Sequence, residues 1–225
     1  MKRFEILFSV IYLISIIFCC PNASADNKWT ALVEECGTVL SEIQQMPDEN
    51  IPSGLMKKCS AIAIFPSTIS AGLGIGGKYG QGIIMVRNEK SGKWSSPAIF
   101  TLVGASIGFQ IGGEATDIVL LIMTRRSVEA ILEGKFKLGV DASVAAGPVG
   151  RNAAASTDAH LGGILSYSRS RGLFAGIKLE GDVINQHWEG NKALYGKDLS
   201  AEEILVKNKA KMPKSAKDLL ETLKK

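Results

Sequence analysis

The chain has 225 residues, 46% of them hydrophobic and 21% charged, with a formal net charge of +4. Two histidines and four cysteines leave little material for histidine-based catalysis or a structural zinc cluster. The length suits one domain with a sizeable core.

Residues 1–25 read as a signal peptide. Lys2 and Arg3 form a basic start, Ile6 to Phe18 is a 13-residue apolar run, and Ala23-Ser24-Ala25 is a small-x-small cleavage site. The run is too short to span a bilayer comfortably. Cleavage after Ala25 would export residues 26–225 as one domain to the periplasm or cell envelope. A lipoprotein form, acylated at Cys19 or Cys20, needs a small residue just before that cysteine, and Phe18 and Cys19 fill those places badly. Removing Lys2, Arg3 and Glu5 leaves 24 basic and 21 acidic side chains. Cys36 and Cys59 then remain as an even pair in an exported chain, which points to a disulfide closing a loop of 23 residues. Two buried free thiols are the alternative.

Asn27 to Met46 carries Trp29, Leu32, Val33, Cys36, Val39, Leu40 and Ile43 at helical spacing. Pro47 ends that helix. Ile51-Pro52-Ser53 opens a short second helix to about Lys58, with Ser53 as N-cap. From Cys59 the period changes. Ala61 to Phe65 is a buried strand stopped by Pro66, and further strands follow at Ala71 to Tyr79 and Gly82 to Asn88. Ala98 to Ile111 and Thr116 to Thr124 are long apolar strands. Ser127 caps a short helix ending before Gly134. Phe136 to Ala146, Ala159 to Ser168 and Gly172 to Ile184 read as strands. Gln186 to Tyr195, Ala201 to Lys207 and Ala216 to Leu223 read as helices. Glycine recurs inside the strands, where it marks bends, bulges or close backbone approach. Helices concentrate at the two ends. The class is therefore α+β, a strongly curved, barrel-like antiparallel sheet with terminal helices.

The candidate chemistry is sparse. Gly72, Gly74 and Gly77 match GxGxxG, but a strand follows where a dinucleotide site needs a helix. Ser156, Asp158 and His160 share one face if extended and would be a hydrolase's only material, without a nucleophile-elbow motif. Asp141, Asp158 and His160 lack recognisable metal-ligand spacing. The residues call for no cofactor and no metal. Arginines at 125, 126, 151, 169 and 171 lie near strand or loop ends and suit phosphate groups. Lys207, Lys209, Lys211, Lys214 and Lys217 form a run without an acidic residue, inside a basic helical tail over 207–225. Such lysines are worth about 1 kcal/mol each near an anionic lipid surface. Aromatic residues are not interleaved with the basic ones, so nucleic acid is not an expected partner.

Ile51-Pro52, Ala61 to Pro66, Gly76-Gly77-Lys78-Tyr79-Gly80, Trp94-Ser95-Ser96-Pro97 and Gly108 to Gly112 occur in that order. Gly147-Pro148-Val149-Gly150-Arg151, Gly172 to Gly176 and Tyr195-Gly196 follow. With these pieces the chain resembles the SYLF-domain family, a lipid-binding or actin-binding module, from about Trp29 to Val206. The resemblance implies phospholipid binding, of phosphoinositide type in eukaryotic members, and no enzymatic activity. The signal peptide and the lack of an added domain make it similar to a bacterial exported solo form, and they argue against actin as a partner. The expected function is that of a non-enzymatic exported protein that binds anionic phospholipid or a membrane surface. Arg125, Arg126 and the five lysines are its candidate contacts, and the N-terminal helix or curved sheet would take acyl chains. An envelope protein bound to a protein partner is the alternative.

Overall fold

The computed structural model describes residues 23–46, 50–149, 163–170, 173–175 and 179–224. Helices α1 (Ala23–Gln45) and α2 (Ser53–Lys58) precede two long strands, β1 (Ala61–Val86) and β2 (Ala98–Ile122). Then come α3 (Arg125–Glu133), β3 (Phe136–Lys137), β4 (Val144–Ala146), β5 (Ile164–Ser170), β6 (Leu173–Ala175) and β7 (Val183–Gln186). The chain closes with α4 (Trp188–Tyr195), α5 (Ala201–Leu205), a 3-10 turn at Lys214–Ala216, and α6 (Lys217–Leu223).

The antiparallel β1–β2 hairpin organises everything else, with Ala61 opposite Ile122 and Ile84 opposite Ala98. Its side chains alternate between two cores, as the two-residue period of a strand requires. Ile62 and Ile64 join Ile83, Met85, Val119 and Leu121 in one core. Ala61, Ala63 and Phe65 join Ile84, Phe100 and Leu120 in the other. Helices α1 and α6 cover the first core through Val33, Leu40, Ile43 and Leu219. Helices α3 and α5 cover the second through Val128, Ile131, Ile204 and Leu205.

A straight strand of 26 residues would reach about 86 Å at roughly 3.3 Å per residue. Instead β1 curls until its two ends meet. Arg87 N–H donates to the Ser60 carbonyl at 2.8 Å, and Ile64 and Ile83 share one core. Gly82 permits this return, because a Cβ there would lie on the Ile64 carbonyl oxygen and the Phe65 ring. Register shifts at Phe65/Thr68 and Leu73/Gly74 supply the bends. The three strands expected between Ala61 and Asn88 are thus one. Pro66 does not stop it, because it lies in the first bulge, where no ladder N–H is required, next to Ser67 with φ 46°. The two strands expected from Ala98 to Thr124 are likewise one.

The sheet has seven strands in the order β3-β7-β2-β5-β4, with β1 also on β2 and β6 on β5. The β4–β5 pair is parallel and the rest antiparallel. This is the expected curled α+β architecture with helices at the ends. Several boundaries differ. The side chain of Thr124, not Ser127, caps α3 by accepting from Ser127 N–H. Ser53 is the first helical residue of α2 and makes no cap hydrogen bond; Pro52 occupies the N-cap position. The segment 136–146 splits into β3 and β4 because Gly139 turns with φ 81°. Gln186 ends β7, and His187 Nδ1 caps α4 by accepting from Gly190 N–H at 2.9 Å. Gly181, with φ 89°, separates β6 from β7 within the expected strand over 172–184.

The expected disulfide is not formed. Cys36 and Cys59 are both buried free thiols. Cys36 Sγ–H donates to the Ile64 carbonyl at 3.6 Å and Cys59 Sγ–H to the Met56 carbonyl at 3.2 Å. Each thiol fills its own apolar slot and already has an acceptor. Burial pushes both thiols up, Cys59 to about 12.

Candidate functional site

The structure gives the C-terminal lysines carboxylate neighbours that their own segment lacks. Lys207 pairs with Glu202 at 3.0 Å and Lys209 with Glu203 at 2.7 Å, both from α5. Lys217 meets Glu221 at 3.9 Å. The Lys209 hydrogen bond, then the Ser200 backbone N–H, hold the Glu203 carboxyl down at about 2. Lys211 and Lys214 are exposed with no ion-pair partner among the described residues. The segment is also docked: Ser96 Oγ–H donates to the Ala210 carbonyl at 3.0 Å, and Ala216 and Leu219 are fully buried. Arg125 faces Glu129 at 3.8 Å, and Arg126 is exposed beside it. Arg169 is saturated by Glu42 and Asp117, each at 2.6 Å. Burial opposes its charge, but these two partners outweigh that and raise its pKa.

A second basic surface is assembled only by the fold. The β1 return brings the β1–β2 turn against the end of α2. Arg87 Nη1 donates to the Lys57 carbonyl, and Arg87 N–H to that of Ser60. Lys57 and Lys58 end α2, while Lys90 and Lys93 sit on the turn; all four are exposed. The turn is fixed by Asn88, whose Oδ1 accepts from Lys90 N–H at 3.1 Å and Ser91 N–H at 2.9 Å. Asn88 N–H donates to the Lys93 carbonyl at 2.8 Å, and Gly92 supplies a φ of 67°. None of these five cations has a carboxylate in ion-pair range among the described residues, and Glu89 is the one acid in the turn. The two basic stretches lie 30 residues apart in sequence, Lys57 to Arg87. The dipeptide Lys57-Lys58 and the Lys90–Lys93 spacing were the only signals, and neither shows the contact.

Among the described residues one ion pair is deeply buried, Lys78 with Asp182 at 2.7 Å. Gly104 lies opposite Lys78 in register, and a Cβ there would strike the Asp182 carboxylate. Burial raises the Asp182 pKa and Lys78 partly offsets this. The pair ties the hairpin to the turn before β7. The apolar stripe of α1 that was expected to meet acyl chains is itself core, with Val33, Cys36, Leu40 and Ile43 fully buried. On the hairpin, Ile69, Tyr79 and Val103, the cross-strand partner of Tyr79, remain exposed. Ser156, Asp158, His160, Arg151 and Arg171 lie outside the described residues. Among the described residues no group of three His, Cys, Asp or Glu side chains is placed to hold a metal ion.

Residues 103–225 match the family model described as "Ysc84: Las17-binding protein actin regulator". The chain belongs to this family, in agreement with the SYLF resemblance. It is 37% identical over 180 residues to Protein YSC84 of Saccharomyces cerevisiae, covering 78% of this chain and 38% of that protein. It is 38% identical over 162 residues to LAS seventeen-binding protein 3 of the same yeast, covering 70% of this chain and 35% of the relative. It is 37% identical over 179 residues to SH3 domain-containing YSC84-like protein 1 of Rattus norvegicus, covering 79% of this chain and 52% of the relative. The chain thus spans between about a third and a half of these curated relatives.

Proposed function

We propose that this protein is a non-catalytic module that docks on anionic phospholipid membranes. The observation that carries the reading is the five-cation surface of Lys57, Lys58, Arg87, Lys90 and Lys93, formed where the end of α2 meets a hydrogen-bonded turn, with no carboxylate in ion-pair range among the described residues. Lysines and arginines near an anionic surface contribute about 1 kcal/mol each. In the same reading residues 1–25 direct export, and the acting species is residues 26–225 in the periplasm or envelope. N-terminal sequencing of the native protein would then begin at Asp26.

Flotation with vesicles tests the reading. Vesicles of phosphatidylcholine doped with phosphatidylglycerol should carry the protein upward, and binding should fall steeply between low and physiological salt. Equal binding to pure phosphatidylcholine, or none to either vesicle, would end it. The name of LAS seventeen-binding protein 3 favours a second reading, in which a protein partner is the main ligand. Crosslinking in the native envelope that recovers one stoichiometric protein, together with no vesicle binding, would select it.

A further inference from the structure

The helices after β7 are fastened to the body in different ways. Asn191 of α4 accepts from Ile99 N–H at 2.7 Å. The start of α5 carries a capping box of Ser200 and Glu203, and its Ala201 N–H donates to Gln186 Oε1 at 2.8 Å. Helix α6 has no such tie. Among the described residues, the hydrogen bonds and the ion pair of residues 211–224 stay within that stretch: Ala216 N–H to the Pro213 carbonyl, Thr222 Oγ1–H to the Asp218 carbonyl, and Lys217 to Glu221. Ala216 stands at its N-cap position and offers no capping side chain. Ser215 Oγ, one residue earlier, is buried with no hydrogen-bond partner. What holds α6 is apolar contact, from fully buried Ala216 and Leu219 and partly buried Leu220 and Leu223. That contact is incomplete at the far end, where an open cleft of about 250 Å³ is lined by Thr222 and Leu223 of α6, Gln44 and Gln45 of α1, and Met56 of α2. A helix of seven residues does not persist alone in water, where about 12–15 residues are needed, so α6 is helical only while some surface takes its apolar side.

Resting on the anionic-membrane reading, we infer that α6 is a detachable strap that leaves α1 and lies in the membrane interface, a second contact element hidden in the free protein. Its composition suits both places. Leu219, Leu220 and Leu223 supply the apolar side, while Lys214, Lys217 and Lys224 stand exposed around it. Leucines on one face with lysines about them are what an interfacial helix on anionic lipid requires. Met212, just before the helix, is also exposed. The last tie to the body is the Ala210 carbonyl, which accepts from Ser96 Oγ–H at 3.0 Å. The hinge therefore falls at residues 211–213, which have no regular structure. Release also frees the Ser215 hydroxyl to bond with water, so the docked state gives up one unmade hydrogen bond on opening.

The strap can be locked where it touches α1. A Cβ at Gly37 lies 3.5 Å from Leu219 Cβ, within the roughly 3.5–4.5 Å that a disulfide spans. The full chain carrying Gly37→Cys and Leu219→Cys is floated, oxidised and then reduced, on phosphatidylcholine vesicles doped with phosphatidylglycerol, with the bridge between positions 37 and 219 verified by peptide mapping. A strap docked roughly nine times in ten in solution, and released as often on the vesicle, implies about an eightyfold preference of the membrane for the released form. The oxidised form should then bind roughly tenfold more weakly than the reduced form. Both forms share one sequence, so the comparison isolates release of α6. Equal affinity of the two would overturn the strap and leave the membrane reading standing. Failure of the wild-type chain to bind would overturn both. Hydrogen exchange on the free wild-type chain gives a second test without any substitution. The α6 amides should exchange by local opening, well ahead of those in the β1–β2 hairpin, and protection equal to that of the hairpin would overturn the strap.

Discussion

Two lysine-rich regions of this molecule look alike as text and differ as surfaces. The C-terminal stretch from Lys207 to Lys217 has five lysines and no acid within it, yet folding sets Glu202, Glu203 and Glu221 beside three of them. The turn end has its cations divided between residues 57–58 and 87–93, and folding unites them with no carboxylate in ion-pair range among the described residues. Local charge density in a sequence therefore overstates the first surface and misses the second. Exposed pairs are worth little to stability, commonly under about 1 kcal/mol, but a lysine already paired gains less from a phosphate than an unpaired one does.

The sharpest way to break this contrast is to neutralise one surface at a time. Replacing Lys57, Lys58, Arg87, Lys90 and Lys93 together by Gln should reduce affinity for phosphatidylglycerol vesicles by a hundredfold or more, since each cation contributes about 1 kcal/mol. A loss no greater than that of the C-terminal variants would remove the distinction. The next effect acts through the fold. Gly82→Ala should destabilise the protein by about 1–3 kcal/mol, as overpacking does, because the added methyl meets the Ile64 carbonyl where β1 returns. Thermal unfolding should move down by roughly 2–4 °C per kcal/mol for a chain of this size. A stable Gly82→Ala variant would contradict the account of how the turn reaches α2.

Smaller effects belong to the C-terminal region. Changing Lys211 and Lys214 to Gln should weaken vesicle binding by about thirtyfold at most, and Lys207 with Lys209 by less, since only the former pair lacks carboxylate partners. The smallest effect is a titration. The Glu203 carboxyl, held at about 2 by Lys209 and the Ser200 backbone, lies below the usual value of about 4.3. A depressed folded pKa means that its contribution to stability is present above about pH 4.3 and is lost as the pH falls toward 2. A carboxyl NMR titration with a midpoint near the usual value would show Lys209 to be free for lipid.

The readable parts of the fold were those governed by local pattern. The stripe of α1 from Trp29 to Ile43 and the glycine-marked strands gave the curled α+β class and its terminal helices. The boundaries failed where one residue acts through distant contacts. Pro66 reads as a stop in isolation, but the long hairpin absorbs it in a bulge. Cys36 and Cys59 read as a pair by parity, but each has its own carbonyl acceptor within the core. Similarly, no spacing in the chain announces that Arg87 will meet the Lys57 carbonyl, because that contact exists only once β1 has curled back on itself. Arg169 shows the reverse: an arginine suited to phosphate by type is occupied by Glu42 and Asp117, 127 and 52 positions away in the chain.

The most direct test of the docking surface is to ask which part of the protein touches lipid. A fluorophore sensitive to polarity, attached through Ser91→Cys at the β1–β2 turn, is compared with one attached through Val140→Cys on the turn after β3. In residues 26–225 both sites are exposed, whereas the two cysteines of that span, Cys36 and Cys59, are buried and resist labelling. On phosphatidylglycerol vesicles containing lipids brominated near the headgroup, the account predicts strong quenching at position 91 and little at position 140. Strong quenching at 140 with none at 91 would contradict it.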